Sequence, residues 1–194
     1  EAIIKPILRG RDIKRYYYKW AGLWVIGTFP ALKLNIDDFP ALKKYFLENF
    51  DIRQLEQSGK KYPKLGFNAR KKTSNKWFET QDQIAYYSEF EKEKVVWTPV
   101  NSEYSFAVLP PGYYFINSVF MITGDNVKYL CALLNSKLMR YYFTFIFSSE
   151  KEYNYASEEK VKNIAIPLPT SENRYIVNQI ESLVDKIISI KNQN

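Results

Sequence analysis

Histidine is absent from the 194 residues. Its absence removes imidazole general bases, Ser-His-Asp type triads and nearly all zinc sites at once. A single cysteine, Cys131, excludes any disulfide within the chain. It lies among Leu130, Ala132 and Leu133, a setting that predicts a core thiol rather than a reactive one and fits a reducing compartment. Long apolar runs are also missing. The longest greasy stretch, Tyr141 to Phe147, follows Arg140 and falls well short of the ~18 residues a bilayer crossing requires. The opening residues lack the apolar region and cleavage site of a secretion signal. These absences predict a cytoplasmic protein with no membrane partner. Because the sequence opens on Glu1 and already reads as structured, it is expected to be a piece of a longer protein.

Glycine is scarce, at seven residues, and none of the seven forms the glycine-rich strand-to-helix turn that cradles a cofactor phosphate. A loop that presents a base amine for methylation needs a polar residue, two prolines and then an aromatic ring. The nearest string, Leu109-Pro110-Pro111-Gly112-Tyr113, has Leu109 in the polar position and Gly112 in front of the ring, so it is read as a hairpin turn. Glu158 and Lys160 have the spacing of half a nuclease motif, but no partner Asp lies shortly upstream to complete a Mg²⁺ site. The chain is therefore expected to hold no catalytic centre, no metal site and no cofactor.

Positive charge is plentiful. The 28 basic residues exceed the 21 acidic ones by seven, which favours a polyanionic partner. The segment from Gly59 to Lys76 carries Lys60, Lys61, Lys64, Arg70, Lys71, Lys72 and Lys76 with no acid among them, and its Pro63, Asn68, Thr73, Ser74 and Asn75 make it loop-like. Phosphates attract Lys and Arg, while Arg, Lys, Asn and Ser can read base edges in a groove. On that chemistry Lys60, Lys61, Lys64, Lys71 and Lys72 are expected to hold phosphates. Arg70, Asn75 and Lys76, with Asn68 and Ser74 beside them, are expected to read bases. Tyr153, Asn154 and Tyr155 offer a second contact loop. Arg9 and Arg11 open the chain with further charge, which could instead pair with Asp12.

Periodicity sketches an α+β fold. Gly22 to Phe29 reads as a buried strand. A helix is expected from a cap at Asp37 or Asp38, through Pro40, to a stop at Gly59. Short Tyr-, Val- and Ile-rich runs follow at 84–87, 94–98, 104–109, 113–116 and 119–123, separated by turn formers. A second helix is expected from Asp125 or Asn126 to about Phe147, an extended segment at 164–169, and a closing helix from about Glu172 to Lys191 whose Val177, Ile180, Val184 and Ile187 step like a heptad seam. The whole of 1–194 is expected to be one domain, with 1–20 as a lead-in and 172–194 as the closing helix.

Five segments, in order along almost the whole chain, resemble a known family. They are Ile4-Lys5-Pro6-Ile7-Leu8-Arg9-Gly10-Arg11-Asp12-Ile13 followed by Arg15-Tyr16; the helix after Pro40 leading to Lys76-Trp77-Phe78-Glu79; Glu93-Lys94-Val95-Val96-Trp97; Tyr129 to Leu138 with its Leu134-Asn135-Ser136-Lys137-Leu138; and Ile164-Ala165-Ile166-Pro167-Leu168-Pro169. The chain is similar to the TaqI-like C-terminal specificity domain of adenine-N6 DNA methyltransferases and fused type IIG restriction-modification enzymes. The resemblance implies a twisted, mostly antiparallel β core with supporting helices and a C-terminal helix. It implies sequence-specific binding of double-stranded DNA on behalf of a methyltransferase domain in the same parent chain. S-adenosylmethionine, and Mg²⁺ where the parent also cleaves, would belong to the parent's other domains. The chain also resembles half of a type I restriction specificity subunit. From the residues alone, a protein-docking module that uses the closing helix and an RNA binder remain as alternatives.

Overall fold

The computed structural model describes residues 3–100, 104–146 and 156–193. The fold is α+β and rich in antiparallel strand pairs, and it divides into two compact units: residues 1–4 with 26–88, and residues 5–25 with 89–194.

The larger unit is organised by a three-stranded sheet in the order β6-β5-β8, built from β5 (Lys94–Trp97), β6 (Phe106–Leu109) and β8 (Phe120–Thr123), with both neighbours antiparallel to β5. Every residue of β5 and β6 is buried. Alternation explains this, because successive side chains leave opposite faces of a strand. Val95, Trp97, Phe106 and Val108 pack on one face against α3 (Val127–Leu134), α4 (Lys137–Ile146), α5 (Glu158–Lys162) and α6 (Arg174–Asn192), which contribute Cys131, Leu134, Phe143, Val161 and Val184. Val96, Ala107 and Leu109 pack on the other face against Leu8, Ile13 and Val119. A second sheet has the order β2-β1-β7, from β1 (Ile4–Leu8), β2 (Trp24–Ile26) and β7 (Tyr114–Phe115), and β1 and β7 run parallel. The turn at Pro110-Pro111-Gly112, expected to close a hairpin, instead carries the chain from β6 to β7, which belong to different sheets.

Several elements depart from the sequence expectation. The strand around Trp24 is three residues long and lies at a sheet edge, with Trp24 58% exposed. The run at 84–87 forms no strand, because Ile84 adopts a left-handed backbone (φ 48°) and opens a helical turn over Tyr87–Glu91. The helix expected from Pro40 to Gly59 stops at Asn49 and restarts as a single short turn. These are α1 (Pro40–Asn49) and α2 (Ile52–Leu55), and the Asp51 carboxylate caps the second by accepting from the Arg53 N–H. The helix expected from 125 to 147 is likewise divided, by Asn135 and Ser136. Asn135 Nδ2 donates to the carbonyls of Cys131 and Phe106, its Oδ1 accepts from Phe106 N–H, and Ser136 Oγ caps α4 by accepting from Met139 N–H. The Leu-Asn-Ser-Lys-Leu segment is thus a helix break that ties α3 to β6.

Two further motif positions have structural tasks. The Lys94 side chain is fully buried and its ammonium donates to the carbonyls of Phe90, Lys92 and Pro110. Burial holds its pKa down at about 8, with Glu91 and Glu93 partly opposing the shift. Gly10 passes so close to Thr98 that a Cβ there would sit 2.8 Å from the threonine methyl.

The smaller unit has little sheet. Ile3, Phe29, Ile36 and Phe78 are its buried apolar residues, and Trp77 packs edge-on against Phe46 and Phe78. Thr28 bridges to the 78–80 segment, its hydroxyl donating to Phe78 O while its carbonyl accepts from Thr80 N–H. Among the described residues no helix is long and apolar enough to cross a membrane.

Candidate nucleic-acid interface

The basic segment expected to be a loop is a two-armed ribbon. Its arms, β3 (Lys61–Tyr62) and β4 (Phe67–Asn68), pair antiparallel, with Lys61 opposite Asn68 and Tyr62 opposite Phe67. Pro63-Lys64-Leu65 forms a helical turn between them, and Gly66 closes it in the left-handed region (φ 73°), where a side chain costs about 1–2 kcal/mol. Below the arms the pairing continues irregularly, as Ala69 N–H donates to Lys60 O and Gly59 N–H to Arg70 O. Gly59 is also left-handed, and a Cβ on it would press on Lys72 at 3.3 Å.

Polar side chains, rather than apolar burial, hold the base of this ribbon. Buried Gln57 donates through Nε2 to the carbonyls of Lys76, Glu79 and Thr80, and its Oε1 accepts from Thr73 Oγ1. The Arg70 guanidinium donates to Leu55 O, Trp77 O and Glu79 O, and desolvation lowers its pKa below the usual arginine value. Asn75 Nδ2 donates to Thr80 O and Gln81 O, while its Oδ1 accepts from Gln83. Lys76 Nζ donates to Leu34 O and lies over the Phe78 ring.

Two of the expected base readers, Arg70 and Asn75, therefore turn their side-chain donors inward. Those two face the protein's own carbonyls and spend their side-chain donors there, whereas Lys76 is exposed and gives one of its three N–H donors to Leu34 O. Arg9 is engaged within the chain as well. Its guanidinium and backbone N–H both donate to the buried Asp12 carboxylate, which these bonds hold below the ordinary Asp pKa. Arg11 is exposed, in the larger unit. Tyr153, Asn154 and Tyr155 lie outside the described residues.

Seven other expected residues, Lys60, Lys61, Lys64, Asn68, Lys71, Lys72 and Ser74, lie on the ribbon and its exit and are all exposed. Among the described residues no ion pair engages any of the five lysines. Gln57, which holds the base together, went unnoticed in the sequence, where a lone glutamine after a helix carries no signal.

Fold and site together define an α+β module that presents unneutralised cations on a stapled ribbon. Residues 5–167 match the TaqI-like C-terminal specificity domain, and the chain belongs to that family. Over 190 residues it is 24% identical to the type II methyltransferase M.BstVI of Geobacillus stearothermophilus, a match that covers 95% of this chain and 31% of that protein. The chain thus spans under a third of this relative's length.

Proposed function

We propose that this domain recognises a base sequence in double-stranded DNA for a restriction-modification adenine-N6 methyltransferase, of the stand-alone or the fused type IIG kind, whose methyl transfer takes place in another domain of the parent chain. Family membership supports the role. The observation that carries it to particular residues is the row of five exposed lysines, Lys60, Lys61, Lys64, Lys71 and Lys72, on one ribbon with no acid in the segment. Duplex DNA holds a dense counterion layer, and each phosphate neutralised by a lysine releases part of it. S-adenosylmethionine would be bound by the methyltransferase domain, as would Mg²⁺ in any cleaving domain.

Titration of a duplex oligonucleotide at several salt concentrations tests the proposal. If all five lysines meet phosphates, log K should fall against log salt with a slope of about −4.5, roughly a 500-fold loss between about 50 and about 200 mM. Changing all five to Gln should flatten that slope. Binding that ignores salt would overturn the reading. A second reading, a module that docks to protein, rests on Ile176, Leu183 and Ile190. They recur every seven residues along α6 and stay 56%, 56% and 59% exposed. An apolar helix contact of that kind would be insensitive to salt.

A further inference from the structure

Resting on that DNA-reading role, we propose that the ribbon presents its Lys61–Asn68 face to the major groove. In this arrangement Asn68 reads an adenine edge, Lys61 grips the flanking phosphate, and Gln57 and Arg70 act as positioning residues.

The two faces of the ribbon are not equivalent. Tyr62 and Phe67 lie opposite each other on one face, half-buried, with ring centroids 5.5 Å apart and the Arg53 guanidinium 5.9 Å from the Tyr62 ring. That face is occupied by the protein. Strand alternation puts Lys61 and Asn68 together on the other face, and both are exposed. Directly opposed residues hold their Cβ atoms about 4.5–5.5 Å apart, so this cation and this amide act as one unit. The major groove is wide enough for a two-stranded ribbon, and there an Asn side chain can pair with adenine through N6 and N7, accepting from one and donating to the other. Lysine, a flexible point charge, suits the phosphate beside it.

Recognition of this kind needs a ribbon that does not bend away under load. Strands of two residues cannot supply such stiffness alone. Gln57 and Arg70 supply it by tying both arms and the exit to the carbonyls of residues 55 and 76–80. They touch no DNA in this arrangement and act only through the ribbon.

The experiment starts from a pool of duplexes with a randomised core. The wild-type chain selects its preferred sequence, and binding to that sequence is then compared with binding to the unselected pool. Asn68→Ala should lose the preference at one A·T pair by about ten- to a hundredfold, while its affinity for the unselected pool and its salt slope stay unchanged. Lys61→Ala should weaken selected and unselected duplexes alike and reduce the salt slope by about one. Arg70→Lys keeps the charge, so it should lower the ratio of selected to unselected binding without altering the slope. Asn68 is an exposed surface residue, which keeps its variant informative even if Arg70→Lys destabilises the fold. A wild-type chain that binds no duplex overturns the DNA-reading role itself. A wild-type chain that selects a sequence which Asn68→Ala selects equally well overturns only the assignment made here.

Discussion

The sheet of the larger unit and the ribbon of the smaller one are both antiparallel, yet different forces hold them. β5 and β6 carry apolar side chains on both faces, and burial on each side fixes their register. A slip of one residue would drive every side chain to the wrong layer. The ribbon has almost no apolar burial. Side-chain donors that saturate main-chain carbonyls define it, and its outer surface is left to charge. Lysine marks the contrast. Lys94 in the sheet is wholly enclosed by three carbonyls, whereas Lys60, Lys61, Lys64, Lys71 and Lys72 stand in water. The same residue type does structural work in one place and is available to a polyanion in the other.

Substitutions can break or sharpen this comparison. The largest effect belongs to the sheet. Phe106→Ala, at a side chain only 1% exposed between Trp97 and Phe143, should cost about 4 kcal/mol in chemical denaturation. Next comes the ribbon's staple. Arg70→Met leaves the carbonyls of Leu55, Trp77 and Glu79 without their charged donor and should cost about 3 kcal/mol. A loss below about 1 kcal/mol would show that the staple is not what holds the ribbon.

Lys94 gives a pH test. Its folded pKa, near 8, lies below the ordinary value of 10.5. Between those values the unfolded chain still carries a proton that the folded chain has shed, so this group's contribution to stability rises as pH climbs through the window and is flat beneath it. The melting temperature of wild type minus that of Lys94→Met should therefore increase from about pH 8 to about pH 10. A difference that stays constant or falls across that window would contradict the burial argument.

Gly66→Ala, in the left-handed position of the ribbon turn, should cost about 1–2 kcal/mol. Smallest of all, single Ala substitutions at Lys60, Lys64, Lys71 or Lys72 should change stability by under about 0.5 kcal/mol while each reduces the salt slope of duplex binding.

The sheet was legible because its strands are unbroken β-branched and aromatic runs. The same pattern misled at Ile84 and Trp24, where apolar residues lie in a turn and at an exposed edge. The helix from Pro40 and the helix after Asn126 were each read as one, because apolar spacing continues across Phe50 and across Asn135-Ser136. Local side-chain bonds from Asp51, Asn135 and Ser136 end or restart those helices, and periodicity does not register such bonds. At the candidate site the cations were plain from composition alone. Which of them face outward was not, since a guanidinium or amide looks the same in sequence whether it meets a base or a backbone carbonyl. The answer depended on Gln57 and on the carbonyls of residues 76–80, which only the folded chain brings to Arg70 and Asn75.

The ribbon is fastened entirely from beneath, and this separates its frame from its lettering. Positions 61, 64, 68, 71, 72 and 74 give no side-chain bond to the staple, so their identities can be exchanged together without loosening it. A library randomised at those six positions should remain largely folded. On the proposed DNA-reading role, such a scaffold would acquire a new target sequence by rewriting its outer face alone.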